Sequence, residues 1–127
     1  MTTTILTWDE GYEQRELPSP SAAEVQSRIA ALNGVNRTLV TVYRDESHIA
    51  VGGSASDGLV VYCTFDNEVF WQLLSNATPG GSIDVVAGSQ AGTYPSEHVT
   101  TLAAAQKAAA VFLEHGDRAP MLRWKAQ

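Results

Sequence analysis

The chain has 127 residues, with fourteen Asp or Glu against eight Lys or Arg, a formal charge of −6 and a pI near 4.8. That is one domain's worth of chain, long enough to bury roughly two-thirds of its unfolded surface without help from a disulfide or a metal. Its one cysteine, Cys63, excludes an internal disulfide, and the acidic balance excludes the clustered Lys and Arg that grip phosphate backbones, so no nucleic-acid partner is expected.

In chain order, "TTILTW" (residues 3–8) is β-branched and alternating, and predicts a first strand. "DEGYEQRELPSPS" (9–21) is polar and carries prolines, and reads as a connector. Ser21 and Glu24 have the spacing of a capping box, and Val25, Ile29 and Leu32 follow on one helical face. Asn33-Gly34 supplies the stop, giving a helix from Ala22 to Leu32.

"RTLVTVYR", "HIAVGG" and "LVVYCTF" are three extended segments with short turns between them, hence an antiparallel meander. "EVFWQLL" is a short apolar run without a period, strand or helix. "SIDVVAG" reads as a further strand, and "SQAGTYPSEH" as a loop. Thr100 or Thr101 caps a second, alanine-rich helix lined by Leu102, Ala105, Ala109, Phe112 and Leu113, and "MLRWK" closes the chain as a short strand. The expected class is α+β: a single domain over residues 1–127, built on one mainly antiparallel sheet of about five to seven strands with two helices packed on it.

The start lacks a signal-peptide pattern. The run "LAAAQKAAAVFL" is too short and too polar to span a bilayer, so the expected location is the cytoplasm, without a membrane partner.

Motifs that resemble chemistry have local structural explanations. In His115-Gly116-Asp117 the glycine stands where the helical face runs out, His115 complements the negative end of the helix dipole, and Pro120 follows. No Ser or Cys nucleophile is visibly paired with that histidine. His48, His98, His115 and Cys63 are widely separated and lack metal-ligand spacing, so no zinc site is expected. "GGSASDG" (52–58) is glycine-rich but leads into a strand, whereas a phosphate loop opens a helix. Cys63 reads as a small buried hydrophobe. Trp8, Trp71 and Trp124 read as core or half-buried residues, any of which is also suited to anchoring a partner. No catalytic residue, cofactor or metal is expected, and the chain does not read as an enzyme.

The acidic residues are unevenly spread. Asp9, Glu10, Glu13 and Glu16 crowd the first connector, Asp45, Glu46 and Asp57 sit on turns at strand ends, and Asp66 with Glu68 forms another small pair. Solvated loops explain this pattern, and so does a docking face, since connectors and turns carry much of the binding function of scaffolded domains.

Several of these stretches together resemble family one of the immunity proteins of bacterial polymorphic toxin systems. They are "WDEG", the Pro-Ser connector leading into the Val25/Ile29/Leu32 helix, "IAVGG", "VVAGSQ" and above all "FLEHGDRAPMLRW", a helix ending in Phe, then Gly, Pro and a strand with Trp. The likeness covers nearly the whole chain, with Ala87-Gly88-Ser89-Gln90 standing where a Gly-Gly-Gln-like turn is expected. It carries over no functional residue.

The resemblance implies an antitoxin that binds and neutralises a cognate toxin domain in a 1:1 complex. The usual partner in that family is a nucleobase deaminase, which attacks its base with a zinc-activated water. On this reading Asp9, Glu10, Glu13, Glu16, Asp45, Glu46 and Asp57 face the toxin. The alternative is a small ligand-binding domain or enzyme using the 87–98 loop, with His98 in a concave pocket beside it. A third reading is an interaction domain unrelated to toxins.

Overall fold

The first helix, α1 (Ala22–Ala30), begins where its sequence predicts. The Ser21 hydroxyl accepts the Glu24 amide and the Glu24 carboxylate accepts the Ser21 amide, a complete capping box. The second, α2 (Leu102–His115), is capped by Thr101 and ends at Gly116, whose left-handed φ of 68° lets its amide reach the Phe112 carbonyl at 2.8 Å. A Cβ at Gly116 would strike the guanidinium of Arg44, which lies against the helix end. The His115-Gly116-Asp117 run is therefore the end of a helix.

The computed structural model describes residues 2–127. Its strands are β1 (Thr4–Glu10), β2 (Glu13–Pro18), β3 (Leu39–Arg44), β4 (Ser47–Ser54), β5 (Gly58–Thr64), β6 (Phe70–Leu74), β7 (Ser82–Ala87), β8 (Gln90–Pro95) and β9 (Arg123–Ala126). Seven form one sheet in the order β2-β1-β3-β4-β5-β6-β9, every neighbour antiparallel, and β7 pairs with β8 in a separate two-stranded sheet. The α+β class with two helices is as expected.

Alternation sorts the main sheet into two faces. Leu6, Val40, Val42, Ile49, Val51, Val61, Cys63 and Leu73 form a core with Val25 and Ile29 of α1 and Ala105, Ala108, Ala109 and Phe112 of α2. The small alanines bring α2 close to the sheet, and Phe112 is fully buried. Burying a side chain of this kind contributes about 1.5–3 kcal/mol. The opposite face carries no helix. The β7–β8 hairpin rests on part of it, where Val85, Ala87 and Tyr94 pack with Val60 and Val99. Gly52 makes that seat possible, because a Cβ there would lie 2.5 Å from the Cβ of Ala87.

Two segments differ from expectation. Most of the 9–21 connector is strand: β1 and β2 form a hairpin in the register Ile5–Pro18 to Glu10–Glu13, turning through Gly11 at a φ of 66°. β2 is an edge strand, exposed along its length except at Leu17, so it shows no apolar alternation, and its backbone pairing alone makes it a strand. The 87–98 segment is likewise not a loop. It is the tight turn, the β8 arm and a 3-10 turn (Ser96–His98), and its partner β7 leaves the main sheet for the hairpin. The ambiguous "EVFWQLL" run resolves as β6.

Candidate functional site

The tip of the β1–β2 hairpin is held by one carboxylate. Asp9 Oδ1 accepts the backbone amides of Thr38 at 2.7 Å and Leu39 at 2.8 Å, and Oδ2 accepts the Thr38 hydroxyl at 2.6 Å. Thr38 is fully buried, and its Oγ1 accepts the amide of Ser89 at 2.9 Å. Three separate elements thus meet on Asp9 and Thr38: β1, the start of β3, and the turn of the β7–β8 hairpin. A second tie, from the Gly11 amide to the Asn36 carbonyl at 2.7 Å, fixes the tip itself.

Between these elements runs an open groove of about 440 Å³, walled by Asp9, Tyr12 and Gln14 on one side, Thr41 and Tyr43 on its floor, and Ser89 on the other side. Tyr12 projects fully into solvent and Tyr43 is 40% exposed. These tyrosines were not among the residues singled out by charge. The signal for Tyr43 is the alternation of "LVTVYR", which puts Thr41 and Tyr43 opposite core residues Val40 and Val42.

Glu10 belongs to the helix side. Its Oε1 accepts the Trp8 indole N–H at 2.9 Å and lies 3.4 Å from Arg28, while Oε2 is 3.6 Å from Arg15. The indole hydrogen bond first, and the charges of Arg15, Arg28 and Arg37 after it, hold its carboxyl below the usual carboxylate range. Arg28 also stacks on Trp8, 3.9 Å from the ring centroid. Glu13 pairs with Arg15 at 2.7 Å, an exposed contact of small energetic consequence.

The seven acids singled out in the sequence do not form one patch. Asp9, Glu10 and Glu13 cluster at the β1–β2 tip, and Glu16 lies along the outer edge strand. Asp45 and Glu46 make the β3–β4 turn at the other end of the strands, where Asp45 Oδ1 accepts the Thr3 amide at 2.9 Å. Asp57 is in the β4–β5 turn, back at the tip end. Glu16, Glu46 and Asp57 are exposed and have no side-chain partner among the described residues. Asp9 and Glu10 are engaged within the fold.

The remaining candidates are dispersed. Cys63 is fully buried, and that burial pushes its thiol up to about 12. His98 is half-buried in the 3-10 turn, and His115 is exposed at the end of α2. Among the described residues no group of three His, Cys, Asp or Glu side chains comes together as a metal site, and no helix is long and apolar enough to cross a membrane. Trp8, Trp71 and Trp124 are all half-buried against the core.

The match to a family of known proteins runs through most of these elements. The family model described as immunity protein Imm1 matches residues 13–126, from the first residue of β2 to the last of β9. The chain belongs to the Imm1 immunity-protein family. Among curated proteins no sequence matches it. Imm1 membership supports an immunity, or antitoxin, role and implies a cognate toxin as the partner. The Imm1 match includes Glu13, Glu16, Asp45, Glu46 and Asp57 and begins after Asp9 and Glu10.

Proposed function

We propose that this chain is an immunity protein that binds a cognate toxin domain in a 1:1 complex, in the cytoplasm, and neutralises it by covering its active site or substrate groove. The observation that carries this reading is the Imm1 match over residues 13–126. The partner we propose is a nucleobase deaminase. A deaminase that acts on nucleic acid needs a basic groove, and a partner with a net charge of −6 is drawn toward such a groove and fits it electrostatically. The inhibitor works by occupancy, without catalysis, cofactor or metal.

On this reading the acids divide their work. Glu13, Glu16, Asp45, Glu46 and Asp57 face the toxin, while Asp9 and Glu10 hold the hairpin tip that presents them. The experiment is co-expression with the C-terminal domain of the toxin encoded next to its gene, reading growth and co-purification. Rescue of growth with recovery of an equimolar complex is the expected result. Continued toxicity with no complex would refute the immunity role toward that toxin.

A further inference from the structure

The face of the main sheet that carries no helix holds a row of aromatic side chains beside the β7–β8 hairpin, with Tyr43 40% exposed and His48, Tyr62 and Phe70 half-buried. Tyr43 on β3 stands directly opposite His48 on β4, and Phe70 on β6 reaches the same row across Thr64 of β5. Tyr62 of β5 fills the diagonal. Ring centroids are 5.5 Å apart for Tyr43 and His48, 5.9 Å for His48 and Tyr62, 5.8 Å for Tyr62 and Phe70, and 6.5 Å for His48 and Phe70. The rings form one contiguous platform, with small buried side chains such as Ala50 and Thr64 among them. Partly exposed aromatics packed in tilted and edge-to-face contacts on a sheet lose little conformational freedom when a partner covers them, and Tyr is enriched at binding hot spots for that reason.

Three features say what such a partner carries. First, the faces of these rings are electron-rich and take cations. The stacked cations of this chain are elsewhere: Arg28 is on Trp8 and Arg118 is on Trp71. Second, the hydroxyls of Tyr43 and Tyr62 have no hydrogen-bond partner among the described residues, and exposed Tyr43 can offer its own to an incoming donor. Third, the rim is acidic. Glu16 is placed by alternation on the same face of the β2 edge, and Glu46 stands in the turn just beyond Tyr43 and His48, both exposed and without a side-chain partner among the described residues. Burial lowers the pKa of His48, so the platform brings no positive charge of its own at neutral pH. Lys125, opposite Gln72 on edge strand β9, marks its limit on the far side.

We propose that this aromatic platform is the docking surface for the toxin, and that it receives a guanidinium- or ammonium-bearing surface of that domain between the rings and the acidic rim. The proposal rests on the immunity reading and names the contact through which it acts.

The test uses the full chain and the C-terminal domain of the toxin encoded next to its gene, silenced by an active-site substitution, with affinity read by titration calorimetry. Tyr43→Lys places a like charge where a cation is expected, and at a position exposed enough to accept it. Glu114→Gln, at an exposed position of α2 in the other layer, changes the net charge by the same one unit and serves as the control. Tyr43→Lys should weaken binding by roughly 30-fold or more, the scale of a hot-spot residue, with an unchanged thermal midpoint, while Glu114→Gln stays within about two-fold of the parent. Tyr62→Ser gives a second, uncharged variant, with a loss of the same sign. Parental affinity in both platform variants would overturn the platform and leave the immunity role standing. Failure of the parent chain to bind the toxin would overturn both. A dimer of the free chain that Tyr43→Lys dissolves, with toxin affinity unaltered, would assign the face to a second copy and also overturn the proposal.

Discussion

Asp9 and Thr38 are joined twice, through the Thr38 amide at 2.7 Å and its hydroxyl at 2.6 Å, and the same hydroxyl then receives Ser89 from the β7–β8 turn. One carboxylate therefore sets the relative position of two hairpins and the groove between them. Asp9→Ala strands the Thr38 hydroxyl and the amides of Thr38 and Leu39, with Thr38 fully buried. Hydrogen bonds to a charged group are worth about 1.5–3 kcal/mol each and do not add fully, so a loss of about 3 kcal/mol is expected in urea unfolding. A loss below about 0.5 kcal/mol would show that the tie does not hold the tip.

The seat of the β7–β8 hairpin makes a separate prediction. Gly52→Ala puts a methyl group onto the Cβ of Ala87, and the backbone carbonyl of Thr38 stands 3.3 Å from the same point. Neither neighbour is a flexible side-chain end, so the hairpin must lift. Overpacking of this kind costs about 1–3 kcal/mol. The expected outcome is that loss in denaturant, with faster proteolysis within residues 82–95 than elsewhere. Unaltered cleavage there would mean that the hairpin is held by other contacts.

What the sequence revealed followed how strongly each element depends on side-chain pattern. The helices were legible because their ends are written in side chains, Ser21 with Glu24 at one start and Gly116 at the other stop. β3, β4 and β5 were legible because one face of each is core. β2 and β8 were not, since "EQRELP" and "QAGTYP" are mostly exposed and form strands through backbone pairing with a neighbour. The site divided in the same way. Charge picked out the acids, but it could not separate Glu16, free on an edge, from Asp9, spent on Thr38. The aromatic platform was hidden because Tyr43, His48, Tyr62 and Phe70 come from four strands, and only the register brings them together.

Stability should fall with acid in two stages. Burial lowers the pKa of His48 below its ordinary 6.5, so the unfolded chain takes that proton first. Stability is whole above about pH 6.5 and erodes as pH falls toward the folded value. The carboxyls of Asp66 and Glu10 are also lowered, the first by the amides of Val69 and Glu68, the second by the Trp8 indole and its arginines. Their contribution is present above the unfolded carboxylate pKa and is lost as pH falls through the depressed folded one. Denaturant midpoints should therefore be level from about pH 8 to 7 and then decline through both windows. His48→Gln should remove the upper decline and Asp66→Asn part of the lower one. A midpoint that rises between about pH 6.5 and 5 would contradict the sign for His48.

Charge should act on the rate of toxin capture more than on the lifetime of the complex. Neutralising all four acids of the β1–β2 region would confound steering with folding, because Asp9 and Glu10 hold the hairpin together. The informative variant is the pair Glu13→Ser and Glu16→Ser: Glu16 has no partner among the described residues, and Glu13 meets only Arg15, itself half-exposed. Exposed charges at a rim govern long-range attraction, which salt screens over about 10 Å at 0.1 M ionic strength. Stopped-flow mixing with the silenced toxin domain should show association slowed several-fold at low salt, a flatter dependence on ionic strength, and dissociation altered by less than about two-fold. Association as fast as the parent at low salt would remove these two acids from the docking path. The same result with Tyr43→Lys still impaired would place recognition in the aromatic platform, with little contribution from the acidic edge.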